Sequence, residues 1–177
     1  MLELRLSGSG GQGLILGGII LAEAAILDGK LAIQSQSYGP EARGGSSKSE
    51  VLISNKPIHF PKVTKPNLVL AMTQAALDKY ATDLPDDGIL ITDSMLVQQV
   101  PERLSRVYEL PITATAKEEL GRDLFANIVA LGAIVELTDV VTKDSLVKAV
   151  LSRVPAGTEE VNQKALFLGA ALISAKK

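Results

Sequence analysis

The first 27 residues constrain this chain more than anything that follows. An alternating stretch, Leu2-Glu3-Leu4-Arg5-Leu6, runs through Ser7-Gly8-Ser9-Gly10-Gly11-Gln12-Gly13 into an apolar run from Leu14 to Leu27. Leucine at every second position has the period of a β-strand, and the later run is long enough for about three turns of helix or more. Four glycines in six residues separate them. The unit predicted is strand, glycine loop, helix, with the rest of the chain layered onto it.

Glycine lets a loop take positive φ and bring its N–H groups close to a partner. A helix starting at the end of the loop also aims its unpaired N–H groups at whatever lies in front. The spacing Gly8-x-Gly10-x-x-Gly13 matches the dinucleotide fingerprint by position. That fingerprint expects an acidic residue roughly 20 residues on, at the end of the second strand. Here Leu31-Ala32-Ile33 ends in Gln34, Ser35, Gln36 and Ser37, with no carboxylate. Gly13 is followed by Leu14 and Ile15, so the lysine of a phosphate-binding loop is also missing. Two readings stay open: a free-standing nucleotide-binding enzyme or sensor, and a tight turn offering backbone to another anion or to a partner chain.

The chain of 177 residues suits one domain, 1–177. Aromatic residues make up only 3%, so the core must be Leu, Ile, Val and Ala. Net charge is −2, with 18 basic and 20 acidic residues spread along the chain, which gives no electrostatic reason to expect nucleic acid or an anionic membrane as partner. With no cysteine, the chain cannot form a disulfide, a thiolate metal site or an iron–sulfur cluster ligated in the usual way. No metal ligand set is expected. Glu3 and Arg5 interrupt the N-terminus, and the apolar stretch from Leu14 to Ala22 is short of the ~20 residues that cross a bilayer. A soluble, cytoplasmic protein is expected.

Further along, Leu31 to Ser35 reads as a strand and leads into Ser37-Tyr38-Gly39-Pro40-Glu41-Ala42-Arg43-Gly44-Gly45, a loop by its proline and glycines. It is either an exposed connector or a docking loop in which Arg43 offers a planar fork to a carboxylate or phosphate. Ser49 to Ser54 and Pro57 to Phe60 read as a hairpin around Asn55-Lys56. His59, the only histidine, has no companion for catalysis or metal binding and is given no role. Asn67 to Met72 reads as a strand buried on both faces, with a helix capped by Thr73 after it, and Gly88 to Asp93 and Val107 to Leu110 read as further strands.

The fold class predicted is α/β: a Rossmann-like three-layer sandwich with a mainly parallel sheet, a hairpin edge and helices on both faces. Ligands then gather beyond the carboxyl ends of the strands, a crevice expected to include Met72-Thr73-Gln74, Asp93 and Thr113-Ala114-Thr115 and to hold almost no ionisable group. Asp93 is as well suited to capping a turn as to acid–base work. No catalytic residue is expected. Toward the C-terminus, Leu124 to Leu137 carries more apolar surface than one core usually covers, which suggests an interface, with Asn127 hydrogen-bonded in a cap or across it. Thr158 is a candidate cap for a last helix with Val161, Ala165, Leu168 and Leu172 as its apolar stripe.

Taken together, Gly8-Ser9-Gly10-Gly11-Gln12-Gly13, Gln36 to Gly45, Thr113-Ala114-Thr115, Asn127 and Leu131-Gly132-Ala133 resemble the gamma subunit of the 2-oxoacid:ferredoxin oxidoreductases. The resemblance implies a non-catalytic subunit of an enzyme that decarboxylates a 2-oxoacid, passes the acyl group to coenzyme A and gives two electrons to ferredoxin. It implies alpha and beta partner subunits, with a ferredoxin-like delta subunit as a further candidate. Thiamine diphosphate and the iron–sulfur clusters would then be bound by those partners, with the 2-oxoacid and coenzyme A nearby. By the same resemblance Gly8, Gly10, Gly11, Gln12, Gly13, Tyr38, Gly39, Pro40, Glu41, Arg43, Gly44, Gly45 and Asn127 are candidates for ligand or subunit contact. The loop from Tyr38 to Gly45 would close the substrate or coenzyme A entrance. Which 2-oxoacid is used does not follow from these residues.

Overall fold

The opening unit forms as its sequence predicts. Strand β1 (Leu2–Ser9) passes through the glycine loop into α1 (Leu14–Leu27), and Gly29, at φ 75°, turns the chain away just past Asp28. The structure is a computed structural model that describes residues 1–38 and 45–176. After α1 come β2 (Leu31–Tyr38), β3 (Ser46–Ser54), β4 (Leu68–Ala71), α2 (Gln74–Tyr80), β5 (Ile89–Asp93) and β6 (Arg106–Leu110). The rest is helical: α3 (Ile112–Leu120), a 3-10 turn (Asp123–Phe125), α4 (Ala126–Thr138), α5 (Lys143–Leu151) and α6 (Glu159–Ser174).

The strands form one sheet in the order β2-β3-β1-β4-β5-β6. From β1 to β6 every neighbour is parallel, while β3 runs antiparallel to both β1 and β2. Alternation along β4 shows how both faces are used. Leu68, Leu70 and Met72 join the core built with α1, α3, α4, α5 and α6. Val69 and Ala71 point the other way, against Leu77 and Ala81 of the α2 side and Val97 and Leu104 of the segment after β5. The fold is therefore the predicted α/β sandwich, mainly parallel, with helices on both faces.

Several local expectations are corrected. The hairpin is β2 with β3, not 49–54 with 57–60. Both edges of β3 are already paired, Ile53 with Leu2 on one side and with Ala32 on the other, so no edge remains for Pro57 to Phe60. That segment instead leads to a crossing beneath the sheet, where Glu3 Oε2 accepts from the N–H groups of Thr64 and Lys65. Strand β2 also runs three residues past Ser35, to Tyr38, because its polar residues lie on the sheet edge: Gln34 Nε2 donates to Ser49 Oγ at 2.9 Å.

The apolar surplus of α4 is covered within the chain rather than held out as an interface. Ten consecutive residues from Ala126 to Val135 are buried, and α6 crosses α4 where Gly132 faces the backbone of Leu166 and Gly169 faces the backbone of Val129. The buried face of α6 is Asn162, Ala165, Leu166, Gly169 and Ile173, so only Ala165 of the predicted stripe is in it. Thr158 makes no side-chain cap; its hydroxyl donates to Pro155 O and accepts from Asn162 Nδ2. Gly17 and Gly18 let α1 pack closely, Gly17 against Leu6 of β1 and Leu131 of α4 and Gly18 against Ser49 and Val51 of β3.

The second face of β1 holds charge. Arg5, 5% exposed, donates through Nε to Glu50 Oε1 at 2.8 Å, through Nη2 to Asp83 Oδ2 at 3.0 Å and through Nη1 to the carbonyl of Tyr80 at 2.7 Å. Lys48 Nζ reaches the same Glu50 oxygen at 2.8 Å. Desolvation pushes the Asp83 carboxyl up, but the hydrogen bonds and charge of Arg5 outweigh it and hold the group below the usual aspartate range.

Candidate functional site

The carboxyl ends of β1, β4 and β5 all point to one end of the sheet, and this is where the motif-bearing loops meet. β2 ends and β3 begins at the same end, with Gly8 opposite Ser47 and Tyr38 opposite that same serine. The glycine loop therefore stands beside the start of β3, joined to it by Gly10 N–H donating to Gly45 O at 3.0 Å. Of the candidate contact residues, Gly39, Pro40, Glu41, Arg43 and Gly44 lie outside the described residues, as does the side chain of Tyr38; its backbone closes β2.

The glycine loop is tied by its own groups. Gln12 folds back so that Oε1 accepts from Ser9 N–H at 2.8 Å, and Gln12 N–H donates to Ser9 O at 3.3 Å. Gly8 leaves the space that this side chain and Leu14 use, and a Cβ there would lie 3.1 Å from Cβ of Met72. Gly11 and Gly13 take φ 94° and 73°, which an L side chain rarely adopts. Three loop N–H groups, those of Ser9, Gly10 and Gln12, are thus committed within the protein. Asn127 meets the loop from the side: Nδ2 donates to Gly13 O at 3.2 Å and Oδ1 accepts from Ile128 N–H at 2.9 Å.

Asp93 is structural. It is fully buried, Oδ1 accepts from Met95 N–H at 2.9 Å, and Oδ2 accepts from Thr113 N–H at 2.8 Å at the start of α3. Asp93→Ala leaves the buried N–H of Thr113 without an acceptor, which costs about 1–3 kcal/mol before relaxation, and frees the part-buried N–H of Met95 at a smaller cost. A loss of about 2 kcal/mol in denaturant unfolding is expected, and a change below about 0.5 kcal/mol would contradict this role.

Thr113-Ala114-Thr115 is the first turn of α3 rather than a strand end. That shift brings in groups the sequence reading missed. A cleft of about 270 Å³ lies between Gly11 and Gln12 on one wall, Thr113 and Lys117 on a second, and Asp123 and Leu124 on a third. An adjoining hollow of about 400 Å³ shares Lys117, Asp123 and Leu124 and adds Arg122. The expectation of a crevice almost without ionisable groups is corrected accordingly. Lys117 Nζ lies 3.9 Å from Asp123 Oδ2, and Arg122 makes no ion pair among the described residues. Placing the helix start at Ile112 would have revealed Lys117, since residues three and four apart share a helix face.

The topology weakens a dinucleotide reading. The strand following α1 is not beside β1 but one strand beyond it, about 10 Å away at ordinary strand spacing, and its end carries Gln36 and Ser37 rather than a carboxylate. Among the described residues no group of three or more His, Cys, Asp or Glu is placed to hold a metal. No helix there is long and apolar enough to cross a membrane.

Fold and crevice together define an α/β protein whose glycine loop lines a cleft shared with the start of α3 and the turn before α4. The chain belongs to the pyruvate ferredoxin/flavodoxin oxidoreductase family, whose family model matches residues 3–172. It is 52% identical over 170 residues to the 2-oxoglutarate synthase subunit KorC of Methanocaldococcus jannaschii, covering 94% of this chain and 91% of that one. It is 30% identical over 168 residues to the pyruvate synthase subunit PorC of Methanothermobacter marburgensis, covering 93% of each. Among solved structures, the gamma subunit of a keto/oxoacid ferredoxin oxidoreductase from Geobacter sulfurreducens superposes with a TM-score of 0.86 at 52% identity, covering 99% of both chains. This chain is a homologue of the gamma subunits of the 2-oxoacid:ferredoxin oxidoreductases, which are members of multisubunit oxidoreductase complexes.

Proposed function

We propose that this chain is the non-catalytic gamma subunit of a cytoplasmic 2-oxoglutarate:ferredoxin oxidoreductase, with residues 1–177 working as one domain. The complex would convert 2-oxoglutarate and coenzyme A to succinyl-coenzyme A and carbon dioxide, the two electrons passing to ferredoxin. The observation that carries the choice of oxoacid is the 52% identity to a 2-oxoglutarate synthase subunit, against 30% to a pyruvate synthase subunit of similar coverage. The cysteine-free chain offers no thiolate to an iron–sulfur cluster. Thiamine diphosphate and the clusters belong, on this reading, to the alpha and beta subunits and a ferredoxin-like delta subunit.

What this chain contributes is shape and charge. The glycine loop and the loop from Tyr38 to Gly45 would flank the entrance for coenzyme A and the oxoacid, the tie between Gly10 and Gly45 keeping them in register. Arg43 would offer paired N–H donors to a phosphate or carboxylate. In the assembled complex, kcat/KM for 2-oxoglutarate should exceed that for pyruvate and 2-oxoisovalerate by about tenfold or more, a difference of about 1.4 kcal/mol. Preference for either competitor would overturn the substrate assignment. Arg43→Ala should raise KM for coenzyme A or the oxoacid by about tenfold with the complex intact. Unchanged kinetics for both would remove that role from Arg43.

A further inference from the structure

We infer that Asn127 is a positioning residue that fixes the glycine loop against the start of α4 and so sets the width of the cleft between them. The inference rests on the reading above, in which coenzyme A is used at this crevice.

The contact is unusual in how little room it leaves. Asn127 is 7% exposed, and its amide spans two elements far apart in sequence, donating to Gly13 O at 3.2 Å while accepting from Ile128 N–H at 2.9 Å. A Cβ on Gly13 would lie 2.5 Å from Asn127 Nδ2, and Gly13 already sits at φ 73°. Glycine there is required twice over, by backbone conformation and by the approach of the amide. The side chain at 127 must donate in one direction and accept in the other, which a carboxylate or an apolar group cannot do.

Its place in the cleft makes the contact consequential. Gly11 and Gln12, immediately before Gly13, form one wall; Asp123, Leu124 and Ala126, immediately before Asn127, form the facing one. The hydrogen bond therefore joins the two walls beside the cleft. The loop's other ties, Gln12 to Ser9 and Gly10 to Gly45, hold its internal shape and its hairpin side. Asn127 holds it to the helical layer. Asn127 itself is not a line of ligand contact on this account, in contrast to the expectation from sequence.

The test uses Asn127→Asp in the assembled complex and in the full chain. Aspartate keeps the acceptor for Ile128 N–H and suits the start of a helix, but it turns an acceptor toward Gly13 O. The melting temperature should fall by about 2–8 °C, the effect of losing one buried hydrogen bond. Exchange of the hydrogen-bonded loop amides of Ser9, Gly10 and Gln12 should quicken about tenfold or more while α6 is unaffected. In the complex, KM for coenzyme A should rise about tenfold with kcat within about twofold. Exchange that does not change overturns the clamp, and faster exchange with an unchanged KM overturns its bearing on the ligand. If the aspartate variant does not fold, Asn127→Ala removes the donor without adding charge and carries the same readouts. A wild-type complex that turns over without coenzyme A would remove the reading above, while the exchange measurement still decides whether Asn127 holds the loop.

Discussion

Arg5→Leu is expected to lower stability by about 3 kcal/mol, the low end for removing one partner of a buried ion pair. The low end applies because Glu50 keeps Lys48 at 2.8 Å and the Asp83 side chain is 44% exposed, so neither carboxylate is stranded completely. What is lost is the fork that ties β1 to β3, to Asp83 and to the end of α2 at Tyr80. At about 2–4 °C per kcal/mol for a chain of this size, the melting temperature should fall by about 6–12 °C. The effect also has a pH signature. The Asp83 carboxyl is held below its unfolded value, so its contribution is present above about pH 4 and is lost as pH falls through the folded pKa. The gap between wild type and Arg5→Leu should therefore narrow on acidification. A gap that widens toward low pH, or a loss below about 1 kcal/mol at neutral pH, would contradict the network's role.

The second large effect is at the crossing of α4 and α6. A methyl group on Gly169 would fall inside the radius of Val129 O, with the amide nitrogen of Ala133 at 2.9 Å, and one on Gly132 would do the same to the backbone of Leu166. The atoms in the way are backbone, so no rotamer change relieves the clash. Gly169→Ala should cost about 3 kcal/mol or more, the upper range for overpacking, despite alanine's better helix propensity. Thermal or urea unfolding of the variant measures it. A melting temperature equal to wild type would mean that the helices do not touch backbone to backbone. Ala171→Gly, at an exposed position two residues past Gly169 and so on the far side of α6, supplies the contrast, with a loss of about 1 kcal/mol.

These glycines bear on what the sequence made legible. The strand, glycine loop and helix were readable because three signals agreed: a period of two, a cluster of glycines and a long apolar run. The buried strand β4 and the cap at Thr73 were readable for the same local reasons. The partner of β3 was not. Strand β2 is polar from Gln34 to Ser37 because it lies at the sheet edge, and an edge strand loses the apolar alternation that would announce it. The fate of α4 was also hidden, since a helix apolar on all sides is equally consistent with an interface and with a second helical layer. Only the approach of Gly169 settles which. The same holds at the site: Lys117 and Asp123 face the glycine loop through a fold-back of more than a hundred residues, which no local spacing records.

On the function proposed above, this chain lends geometry to chemistry housed in partner chains. The most direct measurement is 2-oxoglutarate- and coenzyme A-dependent reduction of ferredoxin or a dye by reconstituted subunits, with and without this polypeptide, and by this polypeptide alone. The account predicts turnover only when the chain and its partners are present together. Full activity from the partners without it, or turnover by the purified chain unaided, would contradict the account.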